Sequence, residues 1–250
     1  MKVSVITGVL NRADTIEECI RSVLSQSYRN VEHIIIDGGS ADGTLDVICR
    51  YKDKIAKVIS EPDNGIYYAL NKGIRLASGD ILGILHSDDF YAQDRIIEKV
   101  IDVFKNKDVD SCYGDLEYVD KKDPERIIRY WKASSCTQEK FKYGWMPPHP
   151  TFFVKKSIYE KLGPFNTDFK ISADYELCLR FLLKHKISVA YLPEVLIKMR
   201  TGGLSNRNFK NLIIKSYEDY KAWKVNELNA GLSVILLKNF IKMPQFFRRT

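Results

Sequence analysis

Short apolar segments alternate with amphipathic segments along the first 105 residues, and this alternation restricts the chain to few folds. The apolar segments predict strands, whereas the amphipathic ones have helical spacing over about 10–15 residues and predict helices. Strands and helices that alternate in this way form β-α-β units around a mostly parallel, buried sheet. The sequence therefore predicts an α/β fold. The predicted strands are residues 2–8, 31–37, 57–60 and 80–88, and the predicted helices lie within 15–26, 40–52, 66–77 and 94–105.

Polar residues follow each of the four predicted strands. Because active sites in open α/β sheets lie at the carboxyl ends of the strands, we expect these four groups to line one rim. Each group alone has an ordinary alternative interpretation, since Gly-Gly-Ser and Asp-Asn-Gly are turn sequences and an aspartate often caps the next helix. Their shared edge favours a ligand site. The four groups are residues 7–12, 37–40, 61–65 and 86–89.

Two adjacent carboxylates, Asp88 and Asp89, end the fourth predicted strand. Carboxylates at such a position suit Mg²⁺ or Mn²⁺, hard cations that bind through a few carboxylates and complete their coordination with phosphate oxygens and water. Without a cation, the two carboxylates would repel each other and one pKa would rise. The pair therefore predicts a metal that neutralises the diphosphate of a ligand.

The composition excludes several classes of protein. With 250 residues, 45% of them hydrophobic, the chain is long enough for one large domain or a domain with a helical appendage. Its five cysteines are scattered and form no C-x-x-C pair, which argues against a disulfide framework or a zinc knuckle. The first residues carry no signal-peptide pattern, so we expect a cytoplasmic protein. The absence of G-x-G-x-x-G and P-loop motifs argues against dinucleotide-dependent oxidoreductases and P-loop NTPases.

The formal net charge of +7 is concentrated at one end of the chain. Residues 200–250 carry ten lysines and arginines against three acidic residues, so the remainder of the chain has no net charge. Because the positive charge is confined to this segment and no recognition motif accompanies it, we do not expect a nucleic-acid partner.

The same segment predicts a helical, basic tail over residues 206–250. Its last part, 232–250, is an apolar run interrupted by Lys238 and Lys242, far short of the ~18–20 residues that a membrane span requires. Two interpretations stay open: an amphipathic segment on the anionic inner face of the plasma membrane, or a helix docked on its own domain. The preceding helix, predicted within 208–224, has Phe209, Ile213, Tyr217 and Tyr220 on one side.

A series of motifs, in order, then resembles one enzyme family. The motifs are VITGVLNR, HIIIDGGSADGT, SEPDNGIYYALNKG, GDILGILHSDDFY, PPHPTFFVKKSIYEKLGPFN and SADYELCLR. Together they resemble the family 2 glycosyltransferases with the GT-A fold, the inverting bacterial type that builds surface polysaccharides. The resemblance implies a Rossmann-like sheet and one GT-A catalytic domain over residues 1–205. Residues 1–115 would form its nucleotide-binding half and residues 116–205 its acceptor-binding half.

The resemblance also implies roles for particular residues. Asp174, which opens a later helix, would be the catalytic base, although an acid there is also a favourable helix cap. Asp88 and Asp89 would hold Mn²⁺ or Mg²⁺, and Asp88 would also contact the nucleotide. Two departures from the family pattern are His86, where the first acid of the D-x-D signature is expected, and Ala173, where an acid often precedes the base. The remaining nucleotide-binding residues would be Thr7, Asn11, Arg12, Asp37, Asp63 and Gly65.

Three further residues are candidates for contact with the acceptor or the diphosphate. Trp145 and His149 lie in the aromatic and proline-rich segment YGWMPPHPTFF, which suits a sugar acceptor. Arg200 precedes Gly202 and Gly203 and could clamp the diphosphate as a loop closes. The ordinary alternatives are a structural histidine and a basic surface turn.

The predicted reaction is transfer of a sugar from a nucleoside-diphosphate donor, with UDP favoured, to a saccharide or lipid-linked hydroxyl. Asp174 would accept the hydroxyl proton, and a single displacement would invert the anomeric centre. Two alternatives remain. A sugar nucleotidyltransferase has a similar core and metal requirement, although no glycine-rich loop with a following Arg and Lys is evident near the amino terminus. The other is a catalytically inactive nucleotide-sugar-binding protein.

Overall fold

The first half of the chain forms the parallel part of a central sheet. The computed structural model describes residues 1–202 and 209–229. In this half the four predicted strands are present and are neighbours in the order β3-β2-β1-β4, all parallel. The elements are β1 (Val3–Val9), α1 (Ile16–Leu24), β2 (Val31–Asp37), α2 (Thr44–Cys49), β3 (Lys57–Ser60), α3 (Ile66–Leu76), β4 (Ile81–Ile84), β5 (Asp89–Tyr91) and α4 (Ile96–Asn106).

The second half continues the same sheet with mixed strand directions. Its elements are β6 (Ser111–Val119), β7 (Ile127–Trp131), α5 (Gln138–Lys142), β8 (Phe153–Lys155), α6 (Lys156–Leu162), α7 (Ala173–Cys178), β9 (Val189–Arg200) and α8 (Phe209–Val225). Strand β8 pairs antiparallel with both β4 and β6, β9 is parallel to β6, and β5 is antiparallel to β9. Strand β7 extends from β6. The α/β prediction is confirmed, and the sheet is parallel in its first half and largely antiparallel beyond it.

Both faces of β1, β2 and β4 are buried, which explains why these strands are largely apolar, whereas the edge strand β3 is mostly exposed. Val3 and Val5 pack on the face covered by α1 and α4, whereas Ile6 packs on the other face with α3. Helix α3 approaches the sheet so closely at Gly73 that a Cβ there would lie 2.3 Å from Cγ2 of Ile6. This contact fixes the height of α3, whose first turn lies at the rim of the sheet.

Helix α8 packs against α7 and belongs to the folded body. Its buried side carries Glu218, Asp219, Ala222 and Trp223, and Asn226 directly after the helix is also buried, whereas Ile213 and Tyr217 on the other side are exposed. The boundary at residue 205 stays a prediction, and α8 packs on α7, which belongs to the segment assigned to the acceptor half.

The basic tail is only partly described. The predicted membrane-surface segment, residues 232–250, lies outside the described residues. In the part of the chain that the structure describes, no helix is both long enough and apolar enough to cross a membrane.

Candidate functional site

A cavity of about 430 Å³ opens at the carboxyl ends of the four parallel strands. Each of the four polar groups that follow these strands contributes to its wall, as the sequence predicts. The loop after β1 contributes Leu10 and Arg12, the loop after β2 contributes Gly38, and the loop after β3 contributes Asp63 and Gly65. The segment after β4 contributes all of its members, residues 86–89.

The opposite wall comes from the second half of the chain. Here the polar lining consists of His149, Asp174 and Lys170, the last of which is exposed and was not predicted. The rest of this wall is mostly apolar. The apolar lining residues come from both halves of the chain. Those of α3 are Ile66, Tyr67 and Leu70, and those of the second half include Phe152, Tyr159, Phe165 and Leu177.

Asp88 and Asp89 both line the cavity but differ in environment. Asp88 is partly exposed, whereas Asp89 is 1% exposed and begins the short strand β5. Neither carboxylate oxygen of Asp89 accepts a well-formed hydrogen bond. Burial, followed by the charge of Asp88, raises the pKa of Asp89 well above its ordinary value, although the backbone N–H and the charge of Arg200 act to lower this pKa. An orphaned, buried carboxylate is a group that a bound cation would stabilise.

These residues fit a divalent metal that is completed by a ligand. No cluster of three or more histidine, cysteine or acidic side chains that could hold a metal occurs among residues 1–202 and 209–229. Mg²⁺ commonly binds proteins through only one or two carboxylates and takes its remaining ligands from phosphates and water. Asp88 and Asp89 supply that minimal set.

Arg200 lies behind these acids and does not line the cavity. Its guanidinium donates to the carbonyl oxygen of Asp88 at 2.8 Å and pairs with the carboxylate of Glu18. It also stacks over the ring of Phe90, 5.0 Å from the centroid, and Arg200 is only 5% exposed. Instead of facing a diphosphate, Arg200 holds the backbone of the Asp88–Asp89 segment.

Asp174 and His149 form a pair inside the cavity. Nδ1 of His149 lies 2.9 Å from Oδ2 of Asp174, in the first turn of α7. The hydroxyl of Tyr67 donates to the carbonyl of Ile171 at 2.7 Å and lies 3.4 Å from Oδ1 of Asp174. The hydrogen bond from His149 orients the carboxylate of Asp174, which lines the cavity.

His86 contributes an uncharged ring to the same site. It packs edge to face with His149, with ring centroids 5.7 Å apart. Burial and the neighbouring His149 lower the pKa of His86 to about 4, so the ring is neutral at pH 7. Where the family signature expects an acid, this chain therefore places a neutral group.

Three predicted site residues are turned away from the cavity. The hydroxyl of Thr7 is fully buried and lies 3.0 Å from Nε2 of His33. Asp37 is also fully buried, and its carboxylate accepts hydrogen bonds from residues of its own turn and from Ser60. The indole of Trp145 donates to the carbonyl of Ala133 and packs in the core. These three side chains therefore contact other parts of the chain and do not line the cavity.

The other predicted nucleotide residues lie at the rim. Asn11 has a left-handed backbone (φ 52°), and its side chain accepts from the backbone N–H of Ala41, so it shapes the loop that carries Arg12. Asp63 pairs with Lys72 at 2.8 Å. Sequence reasoning missed Lys170, although its position four residues before Asp174 is a usable signal.

The comparison with known proteins agrees with this geometry. A model of the family described as "Glycosyl transferase family 2" matches residues 4–163, more than half of the chain. The chain belongs to glycosyltransferase family 2. An uncharacterized glycosyltransferase of Mycobacterium tuberculosis is 34% identical to this family member over 186 residues, which cover 72% of this chain and 69% of that protein. A PGL/p-HBAD biosynthesis glycosyltransferase of Mycobacterium bovis is 26% identical over 215 residues, covering 81% and 78%.

Solved structures confirm the GT-A fold of this family 2 glycosyltransferase. S. aureus TarS in complex with UDP-GlcNAc superposes with a TM-score of 0.71 at 16% identity, covering 95% of this chain and 69% of that one. A mannosyltransferase from Pyrobaculum calidifontis in complex with GDP-Man and Mn²⁺ superposes with a TM-score of 0.65 at 17% identity, covering 98% and 70%.

Proposed function

We propose that this protein is an inverting glycosyltransferase that moves a sugar from a nucleoside-diphosphate donor to a hydroxyl group. The observation that carries the proposal is the meeting of two groups in one cavity. One is the strand-end pair Asp88 and Asp89, and the other is the hydrogen-bonded pair of Asp174 and His149. The first group suits a diphosphate with its metal, and the second suits removal of a proton.

The donor would lie along the rim of the parallel strands. Arg12 and Lys170 bring two cationic side chains to the cavity, and both suit phosphate oxygens. Asp88 and Asp89 would hold Mn²⁺ or Mg²⁺, which when bound supplies Lewis-acid stabilisation of the charge on the departing diphosphate. UDP is the favoured nucleotide, because TarS was solved with UDP and with UDP-GlcNAc.

The chemical step is a single displacement at the anomeric carbon. The acceptor oxygen forms the new bond to this carbon while the bond to the diphosphate oxygen breaks, and the bonding pair leaves with the diphosphate. Asp174 accepts the proton of the attacking hydroxyl, a contribution of roughly 10²–10⁴-fold to the rate. His149 donates to Asp174 and keeps its carboxylate oriented. No covalent sugar intermediate forms, so the anomeric centre inverts.

The acceptor would approach along the wall formed by the second half of the chain. This wall is largely apolar around Asp174, which suits an acceptor with an apolar portion next to its hydroxyl. A relative named for PGL/p-HBAD biosynthesis supports a glycolipid-related acceptor. We therefore place the protein in bacterial polysaccharide or glycolipid synthesis, with a saccharide or lipid-linked saccharide as acceptor.

The test is turnover of nucleotide sugars by the wild type and by Asp174→Asn. With Mn²⁺ and a panel of UDP-glucose, UDP-GlcNAc and GDP-mannose, we expect the wild type to release nucleoside diphosphate from one donor. Asp174→Asn should bind UDP as the wild type does but lose at least 100-fold in turnover. Turnover within threefold of the wild type would reject Asp174 as the base, and failure of the wild type to bind any nucleotide would reject the donor site.

A further inference from the structure

We propose that Glu218, on helix α8, is a positioning residue for the catalytic base Asp174. Glu218 lies beyond residues 4–163, the part that matches the family model, and it does not line the cavity. The inference rests on the proposed function of Asp174 and extends the functional machinery to the carboxyl-terminal helix.

Three consecutive backbone N–H groups converge on the carboxylate of Glu218. Oε1 accepts from the N–H of Lys170 at 2.8 Å, and Oε2 accepts from those of Ile171 and Ser172, both at 2.9 Å. Glu218 is only 5% exposed. Hydrogen bonds to an ionised carboxylate are stronger than neutral ones, and an unpaired buried N–H group is costly. Glu218 therefore fixes the conformation of the loop 170–172.

This loop carries the residues around the base. Ser172 is two positions before Asp174 and directly precedes α7, where no side chain caps the helix. The carbonyl of Ile171 accepts the hydroxyl of Tyr67, which lies beside Asp174. Lys170 itself lines the cavity. The loop thus sets the position from which the carboxylate of Asp174 reaches His149.

Rigid support of this kind matters because proton removal depends on geometry. A displacement of about 1 Å at a reacting group can reduce the rate by roughly 10²-fold. Replacing Glu218 by glutamine keeps the size of the side chain but turns one acceptor into an amide donor. That donor would face backbone N–H groups, so at least one of the three hydrogen bonds must be lost.

The same helix offers a matched control. The indole N–H of Trp223 donates to the hydroxyl of Tyr175 at 2.9 Å, and Trp223 is 2% exposed. Trp223→Phe removes a buried hydrogen bond between α8 and α7 without touching the three N–H groups of loop 170–172. A general loosening of α8 affects both variants, whereas loss of positioning affects Glu218→Gln alone.

The experiment compares the full-length wild type, Glu218→Gln and Trp223→Phe in three measurements. In hydrogen exchange, we expect the amides of residues 170–172 to exchange at least tenfold faster in Glu218→Gln only. In NMR of the four histidines, the ring Nδ1 signal of His149 should move in Glu218→Gln only. In turnover of the donor that the wild type uses best, Glu218→Gln should lose 10- to 100-fold in kcat, a larger loss than in its affinity for UDP with Mn²⁺, to which Lys170 on the cavity wall contributes.

The outcomes separate the two proposals. Unchanged exchange and an unchanged His149 signal in Glu218→Gln would overturn the positioning role, whatever the activity. An equal loss of kcat in Trp223→Phe, at an equal drop in Tm, would also overturn it. If exchange and the His149 signal change as expected but the wild type turns over no donor, positioning stands and the proposed function fails.

Discussion

At the residue scale, Asp88 and Asp89 are neighbours in sequence whose carboxylates lie in different environments. Asp88 is accessible in the cavity, and Arg200 holds its carbonyl. Asp89 is buried, accepts no well-formed hydrogen bond and has a raised pKa. A buried carboxylate without a partner destabilises the fold, so its presence favours a role with a ligand that brings positive charge.

The prediction at this scale concerns Asp89→Asn. The amide has nearly the same shape but no charge, so affinity for UDP in the presence of Mn²⁺ should fall at least tenfold. The Tm should stay the same or rise, because the variant never buries a charge. Calorimetric titration with UDP, with and without Mn²⁺, and thermal unfolding measure the two effects. Ser87→Ala, a change two positions earlier that removes no carboxylate, is the control. An Mn²⁺-dependent affinity equal to that of wild type in Asp89→Asn would exclude a metal role.

At the element scale, the end of β9 connects α1 to the segment after β4. Arg200 makes this connection through Glu18, the carbonyl of Asp88 and the ring of Phe90. Because β5 starts at Asp89 and pairs with β9, the Asp88–Asp89 segment is held both by Arg200 and by strand pairing. A residue outside the cavity can therefore govern the geometry inside it.

We predict that Arg200→Lys weakens Mn²⁺-dependent UDP binding by about 5- to 150-fold, since losing hydrogen bonds of a charged group costs roughly 1–3 kcal/mol. A lysine cannot reach the Asp88 carbonyl and Glu18 in the same planar geometry. Arg180→Lys is the matched control, because Arg180 also bridges a carboxylate, that of Glu176, and backbone carbonyls. Arg180 lies just after the carboxyl end of α7 and does not contact the Asp88–Asp89 segment. Both variants should lower the Tm, measured by thermal unfolding. Equal UDP affinities for the two variants, measured by titration, would contradict the role of Arg200.

At the scale of the whole molecule, the charge is divided between a neutral body and a basic end. Residues 232–250 contain Lys238, Lys242, Arg248 and Arg249 and no acidic residue. Apolar and basic residues combined in this way favour the surface of an anionic membrane. If this segment binds a membrane, it would bring the protein to the surface on which a lipid-linked acceptor lies.

We predict that the full-length protein floats with vesicles containing phosphatidylglycerol and floats less with neutral vesicles. Reversing two charges, by Lys238→Glu together with Lys242→Glu, should reduce the bound fraction severalfold, because each basic residue near an anionic surface contributes about 1 kcal/mol. The matched control reverses Lys105 and Lys107, which lie at the end of α4. Flotation of the tail variant equal to that of wild type would leave the docked-helix interpretation in place.

The sequence predicted the parallel half of the sheet well because its signals are local. Each strand was a continuous apolar run between turn residues, and each ended in polar residues whose common edge follows from the parallel arrangement. For the same reason, residues 86–89, Arg12, Asp63 and Gly65 can be assigned to one rim from the sequence alone. Family resemblance added Asp174, which no spacing in the chain would have singled out.

Only the tertiary structure decided which side chains face the cavity. Thr7, Asp37 and Trp145 are of residue types that often contact ligands. In the folded chain their side chains instead form hydrogen bonds with residues farther away in sequence, which are His33, Ser60 and Ala133 respectively. Helix α8 is the clearest case, because its docked side contains Glu218 and is followed by the buried Asn226, while Ile213 and Tyr217 face solvent. Local sequence determines periodicity and strand ends, whereas the partner of a polar group depends on backbone N–H groups that come together only when the chain has folded.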